Sequence, residues 1–221
     1  MNIGIDGPAG AGKSSIAKLI AKKLGYIYVD TGAMYKAMAL YLIRCNIDPS
    51  DSEAIEEACV NADISIKYEN DEQVVLLGGE NVNGYIRTEE VGNMASVSSA
   101  NFKVREKLVA LQQKLATETS VVMDGRDICT KVLPNAEVKI YLTASSKVRA
   151  KRRYNELIAK GVDCDINDIE KDIIDRDNRD MTRAISPLVK AEDAVLVDSS
   201  DMTIDEVVER ILDIVNECLD K

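Results

Sequence analysis

Residues Gly7-Pro8-Ala9-Gly10-Ala11-Gly12-Lys13-Ser14 fit the pattern G-x-x-x-x-G-K-[ST], and their setting leaves few folds open. Asn2–Asp6 reads as a short apolar strand just before them, and Ser15–Leu24 as an amphipathic helix just after. A glycine-rich turn between strand and helix can wrap backbone N–H groups around a polyphosphate, because no Cβ blocks the approach. The helix points its positive end at the same anion. Lys13 can reach the terminal phosphates, and the Ser14 hydroxyl can ligate Mg²⁺. The bland alternative is a chance glycine-rich turn, which the strand–loop–helix context disfavours. The pattern predicts a nucleoside-triphosphate site along Gly7–Ser15.

Further along, short runs rich in Val, Ile and Tyr alternate with helical patterns. Tyr26–Asp30, Val121–Asp124, Val138–Leu142 and Ala194–Val197 read as buried strands. Helical periodicity marks Thr31–Arg44, Glu53–Val60, Thr88–Val97, Phe102–Ala116, Lys147–Lys160, Ile169–Arg179 and Thr203–Leu219. Between Ile64 and Val82 the texture changes to short strands joined by Asn/Asp and Gly-Gly turns, a small antiparallel insert. Buried strands alternating with helices predict an α/β fold, a parallel sheet covered on both faces.

Composition removes several classes. The net charge of −10 argues against a nucleic-acid polymer, which needs a broad basic surface. With no Trp and one Phe, a base-stacking platform is not expected either. The chain has no histidine, so Ser-His-Asp chemistry and histidine ligands are excluded. Five cysteines without a C-x-x-C fit a reducing compartment. No leader and no bilayer-length apolar run is apparent, so a cytoplasmic protein without a membrane partner is expected.

Two further segments close predicted strands, where ligands of open α/β sheets collect: Asp30-Thr31-Gly32 and Asp124-Gly125-Arg126-Asp127. A carboxylate ending an apolar strand, as at Asp124, is a candidate Mg²⁺ partner. A cap or turn is its structural alternative. Of eleven arginines, six fall between Lys147 and Arg183. Arg149, Arg152 and Arg153 share a helix face, as do Arg176, Arg179 and Arg183 if their helix continues. Either these faces are solvated, with i,i+4 pairs such as Asp172–Arg176, or they supply forked donors around a migrating phosphoryl group.

At these residues the chain resembles the bacterial cytidylate kinases, nucleoside monophosphate kinases that move the γ-phosphoryl group of ATP to CMP and dCMP. The resemblance runs nearly end to end, through IDGPAGAGKSS (Ile5–Ser15), YVDTGAMYKA (Tyr28–Ala37), IRTEEV (Ile86–Val91), DGRDICT (Asp124–Thr130), RDNRD (Arg176–Asp180) and SPL (Ser186–Leu188). It implies a five-stranded parallel P-loop core (about 1–30, 119–148 and 184–221). It also implies a monophosphate-binding lobe with the insert (about 31–118) and a helical lid (about 149–183). By the same resemblance, Ser96, Arg105 and Asp127 would face the cytosine, Thr31 the base or the sugar, and Asp180 a sugar hydroxyl. Arg126, Arg176 and Arg183 would surround the acceptor phosphate and sugar and, with Lys13, act in catalysis. Gly7–Ser15 and Arg153 would bind ATP, with Mg²⁺ at Ser14 and Asp124. Partners would be ATP, CMP and dCMP, and the protein a monomer.

Two positions depart from the family pattern. Lys36 stands where an arginine contacts the acceptor phosphate, so charge is kept and the bidentate fork is lost. Cys129 stands at a glycine of the DGRD-x-G-T run, and would carry strain if that position needs positive φ. The rival readings are a kinase for UMP, AMP, dTMP or shikimate, a GTPase switch and a non-catalytic nucleotide sensor. A GTPase lacks support because no N-K-x-D occurs, and a sensor because the acceptor residues are nearly all retained.

Overall fold

The computed structural model describes residues 1–70 and 72–219. In chain order the elements are β1 (Asn2–Asp6), α1 (Lys13–Leu24), β2 (Ile27–Asp30), α2 (Thr31–Arg44), α3 (Ser52–Cys59), β3 (Ile64–Glu69), β4 (Glu72–Leu77) and β5 (Glu80–Asn81). There follow α4 (Glu89–Ser98), α5 (Phe102–Glu118), β6 (Val121–Gly125), β7 (Val138–Thr143), α6 (Ser146–Ala159), α7 (Ile166–Thr182), β8 (Val195–Asp198) and α8 (Ile204–Leu219). A parallel sheet of order β2-β6-β1-β7-β8 and a small sheet of order β3-β4-β5 form the frame. Among the described residues no helix is long and apolar enough to cross a membrane.

The chain divides into two compact units. The first joins residues 1–26 to those from 121 onward, and the second spans Ile27–Ser120. The helices α6 and α7, which the resemblance implies form the lid, cluster with the first unit.

In the first unit β1 is the central strand, parallel to both β6 and β7. Its Ile3 and Ile5, with Val121–Met123 of β6 and Ile140 and Leu142 of β7, are wholly or almost wholly buried. Apolar residues on both faces of a strand suit a sheet covered on both sides. The register pairs Asp6 with Gly125 and with Tyr141. β1 and β6 therefore end level, while β7 runs two residues further to Thr143, and the outgoing loops leave from the same end of the sheet. The last strand departs from the sequence expectation. β8 reads as buried, yet Val195 and Leu196 are exposed, because β8 is the sheet's edge.

In the second unit β3 and β4 form an antiparallel hairpin, and β4 continues into β5 through Gly78-Gly79. Both glycines have positive φ, 57° and 81°, as a two-residue hairpin turn demands. Of the Asn70-Asp71 turn, Asn70 is left-handed and Asp71 lies outside the described residues. This insert is tied to the start of α2. The Gln73 amide donates to the Asp30 carbonyl and accepts from its N–H, and the Tyr68 hydroxyl donates to the Tyr28 carbonyl. Asp30 in turn caps α2, its carboxylate accepting from Ala33 N–H at 2.9 Å.

Candidate active site

The loop after β1 bends where glycine alone fits. Gly7 has φ 153°, and a Cβ there would lie 1.9 Å from the Leu142 carbonyl oxygen. Gly10 and Gly12 are left-handed at 75° and 88°, and Gly12 starts α1 with no side-chain cap. The first-turn N–H groups of α1 thus face the loop, the arrangement that favours an anion. Lys13 is 5% exposed and curls back, its Nζ donating to the Pro8 carbonyl at 2.7 Å. The Ser14 hydroxyl donates to Asp124 Oδ2 at 2.9 Å, joining the loop to the end of β6. Both are hard oxygen donors, and among the described residues no cluster of three acidic or thiol ligands forms a metal cage. That donor set suits Mg²⁺, which takes one or two protein oxygens and fills its shell with phosphate and water.

Cations crowd this edge. Burial, then the Arg126 guanidinium, push the Lys13 ammonium down to about 7, against the pull of Asp124, Asp6 and Asp180. Burial and the same Arg126 also lower Arg176. Arg126 donates from Nε to Asp180 Oδ2 at 2.8 Å. Arg183 donates from Nε to the Ser186 carbonyl at 2.7 Å, and its Nη2 lies 3.9 Å from Asp127 Oδ1. Ser186 holds φ 49° before Pro187, a left-handed serine whose cost the surrounding contacts must offset. Lys13 and Arg176, both desolvated and both repelled by Arg126 despite the nearby carboxylates, would be eased by a further anion.

The three arginines of α6 diverge. Arg149 is buried, donating to the Ala144 and Ala9 carbonyls and to Asp177 Oδ2 at 2.6 Å. Arg152 donates to the Ser199 carbonyl, and Arg153 is exposed and paired with Glu156. Arg149, then, is the arginine of this helix that touches the phosphate loop. Its Cβ, Cγ and Cδ pack within 4 Å of where a Gly10 side chain would stand.

Asp6 is a second residue whose place the sequence leaves unmarked. It is 1% exposed, and its two carboxylate oxygens accept from Ile128 N–H and Cys129 N–H, each at 2.8 Å. These amides open a π-type turn, Ile128–Val132, that follows Asp127. Asp6 closes an apolar strand just as Asp124 does, and that signal could have flagged it. The Cys129 departure carries no backbone strain, for Cys129 is not among the positive-φ residues.

In the second unit Thr31 is buried at the start of α2, with Lys36 half-buried one turn on. Ser96 lies half-buried on α4. Arg105, 4% exposed, donates from Nη1 to the Ser99 carbonyl at 3.1 Å, and its guanidinium stands over the Tyr35 ring.

Comparison with known proteins agrees with this layout. The sequence profile of the family described as cytidylate kinase matches residues 3–217. A cytidylate kinase of Caldicellulosiruptor bescii is 51% identical over 97% of this chain and 95% of its own length. One of Bacillus subtilis is 46% identical over 98% and 97%. Among solved structures, a shikimate kinase of Bacteroides thetaiotaomicron superposes with a TM-score of 0.51 at 13% identity, covering 98% of each chain, a likeness of fold. These matches make the chain a nucleoside monophosphate kinase, a nucleotide-binding phosphotransferase. With its phosphate loop, DGRD segment and antiparallel insert, it belongs to the cytidylate kinase family.

Proposed function

We propose that the protein transfers the γ-phosphoryl group of ATP to CMP or dCMP, giving CDP or dCDP, in a Mg²⁺-dependent reaction. The observation that carries this reading is that Lys13 and Arg176 are each desolvated and each repelled by Arg126, the residue just after β6. Such a group is costly in an empty protein and becomes favourable around a polyphosphate. The loop amides and Lys13 bind the β- and γ-phosphates of ATP, which breaks the Lys13–Pro8 contact. Ser14 and Asp124 hold Mg²⁺, which when bound neutralises phosphate charge. Arg126, Arg176 and Arg183 take the acceptor phosphate, and Asp180 accepts from a sugar hydroxyl while steering Arg126. In the second unit Thr31, Lys36, Ser96 and Arg105 are assigned to the acceptor nucleotide from the family likeness. No general base is required, since the acceptor phosphate is already largely anionic. The segment from Arg149 to Arg183 serves as a lid that excludes water, with Arg149 as its fixed end on the loop.

A coupled assay of ADP release against CMP, dCMP, UMP, AMP and dTMP tests this reading. ADP should form rapidly with CMP and dCMP. Lys13→Ala should lower turnover about a hundredfold or more, with the circular dichroism unchanged. ADP release that ignores the acceptor, or a folded Lys13→Ala enzyme of near-native rate, would overturn it.

A further inference from the structure

Arg105 carries a permanent charge on a long flexible stem, and such a side chain loses much rotamer freedom when fixed. In the second unit it is nevertheless fixed before any nucleotide arrives. It occupies the first turn of α5, whose start is anchored by Asn101. That side chain accepts from Lys103 N–H and Val104 N–H and donates to Ser52 and Glu56. One side of the guanidinium is held by the Ser99 carbonyl. Ser99 itself turns back toward α4, its hydroxyl donating to the Ser96 carbonyl at 3.0 Å. The guanidinium carbon lies 5.3 Å from the centroid of the Tyr35 ring, within cation–π range. Tyr35 projects from α2 between the capped Asp30 end and Lys36, so its own backbone is set by the helix.

The geometry assigns Tyr35 as the positioning residue for Arg105: its ring face pre-orders the guanidinium, and so sets the affinity for the pyrimidine acceptor. This rests on the reading of Arg105 as a base contact. With its Cζ over the ring and Nη1 held by the Ser99 carbonyl, the guanidinium has few rotamers left, and its remaining N–H groups keep a defined direction. An acceptor base with a carbonyl or ring-nitrogen lone pair then meets donors already ordered, and less entropy is lost on binding. The effect belongs to acceptor binding, so it should appear in KM for the monophosphate and spare KM for ATP.

Steady-state kinetics of four variants test this. Tyr35→Phe keeps the ring and should stay within about twofold of the native KM for CMP. Tyr35→Leu removes the ring face and should raise KM for CMP about tenfold, with KM for ATP unchanged. Arg105→Met should raise KM for CMP at least as much. In the Arg105→Met background, adding Tyr35→Leu should cost almost nothing more, because the residue it positions is gone. Should Tyr35→Leu fail to fold, fluorinated phenylalanines at position 35 keep the volume and weaken the ring face, and KM for CMP should rise with fluorine number. If Arg105→Met leaves CMP binding intact, Arg105 is not a base contact and both ideas fall. If Arg105→Met weakens CMP but Tyr35→Leu does not, or the two losses simply add, only the positioning role falls. A flat fluorine series, or Tyr35→Phe as damaging as Tyr35→Leu, also contradicts it.

Discussion

Asp6 shows how one buried carboxylate shapes this site. Burial raises its pKa from 3.8 to about 6, and the charge of Asp127 adds to this. The N–H groups of Cys129 and Ile128 pull the other way. In the folded protein the proton is therefore held more tightly than in the unfolded chain. Between about pH 4 and pH 6 the native state binds more protons, so this group's contribution to stability falls as pH rises and levels off above pH 6. A gap of about two units corresponds to at most roughly 3 kcal/mol. Asp6→Asn cannot ionise, yet it keeps one acceptor for the two amides. Urea unfolding of both proteins from pH 4 to pH 7 should show the stability of Asp6→Asn gaining on the native protein up to about pH 6. A difference that stays constant over that range would mean Asp6 is not held in this buried state. The carboxylate keeps its charge at neutral pH because the two amides on the loop beyond Asp127 need an acceptor. Its cost is thus tied to the place where Arg126 and Asp127 are presented.

At the scale of elements, β1 and the turn after β6 are fitted to each other. A Cβ on Gly4 would lie 2.8 Å from Cys129 Sγ and 3.2 Å from Ile128 Cγ2. The thiol of Cys129 fills the space that the glycine of β1 leaves, which accounts for a side chain where the family pattern has none. Gly4→Ala should destabilise by about 1–3 kcal/mol through overpacking. Cys129→Gly should cost something by itself, but the double variant should be more stable than the sum of the two by about 1 kcal/mol. Denaturant midpoints decide this, and strict additivity would show that the two side chains do not compete for one volume. The strands and helices were legible because their apolar periodicities are local. Asp30, Gly7–Ser14 and Asp124 could be placed at strand ends by the same reasoning. Three features were not legible, each for a long-range reason. Val195 and Leu196 read as buried but are exposed because the sheet ends at β8, a fact about strand order that no window of residues contains. The π-type turn at Ile128–Val132 has no periodicity of its own and depends on acceptors 122 and 123 residues away. The divergence of Arg149, Arg152 and Arg153 follows from partners on the phosphate loop, on α7 and after β8, which their shared helix face does not reveal.

Over the whole molecule, a chain of net charge −10 nevertheless sets Lys13, Arg126 and Arg176 close together in the first unit. Such a local group of cations favours a small phosphate ester. The chain leaves the first unit after Tyr26 and returns at Val121. Residues assigned to ATP, Gly7–Ser15, therefore precede the second unit in sequence, and residues assigned to the acceptor nucleotide come from both units. Choice of base is where the proposed assignment is sharpest. Cytosine offers an amino donor with adjacent acceptors, and uracil reverses that pattern. By that proposal, the Asp127 carboxylate would accept from an amino group and repel the uracil O4, while the Arg105 guanidinium would oppose the uracil N–H. Each mismatch leaves a charged or polar group unpaired, at about 1–3 kcal/mol. Two of them give at least about a hundredfold in kcat/KM. The most direct measurement is the ratio of kcat/KM for CMP over UMP in the native enzyme and in Asp127→Asn. The account predicts a ratio of at least about a hundred in the native enzyme, and a smaller one in Asp127→Asn, whose amide can donate to O4. A native enzyme that takes UMP as readily as CMP, or a ratio untouched by Asp127→Asn, would contradict it.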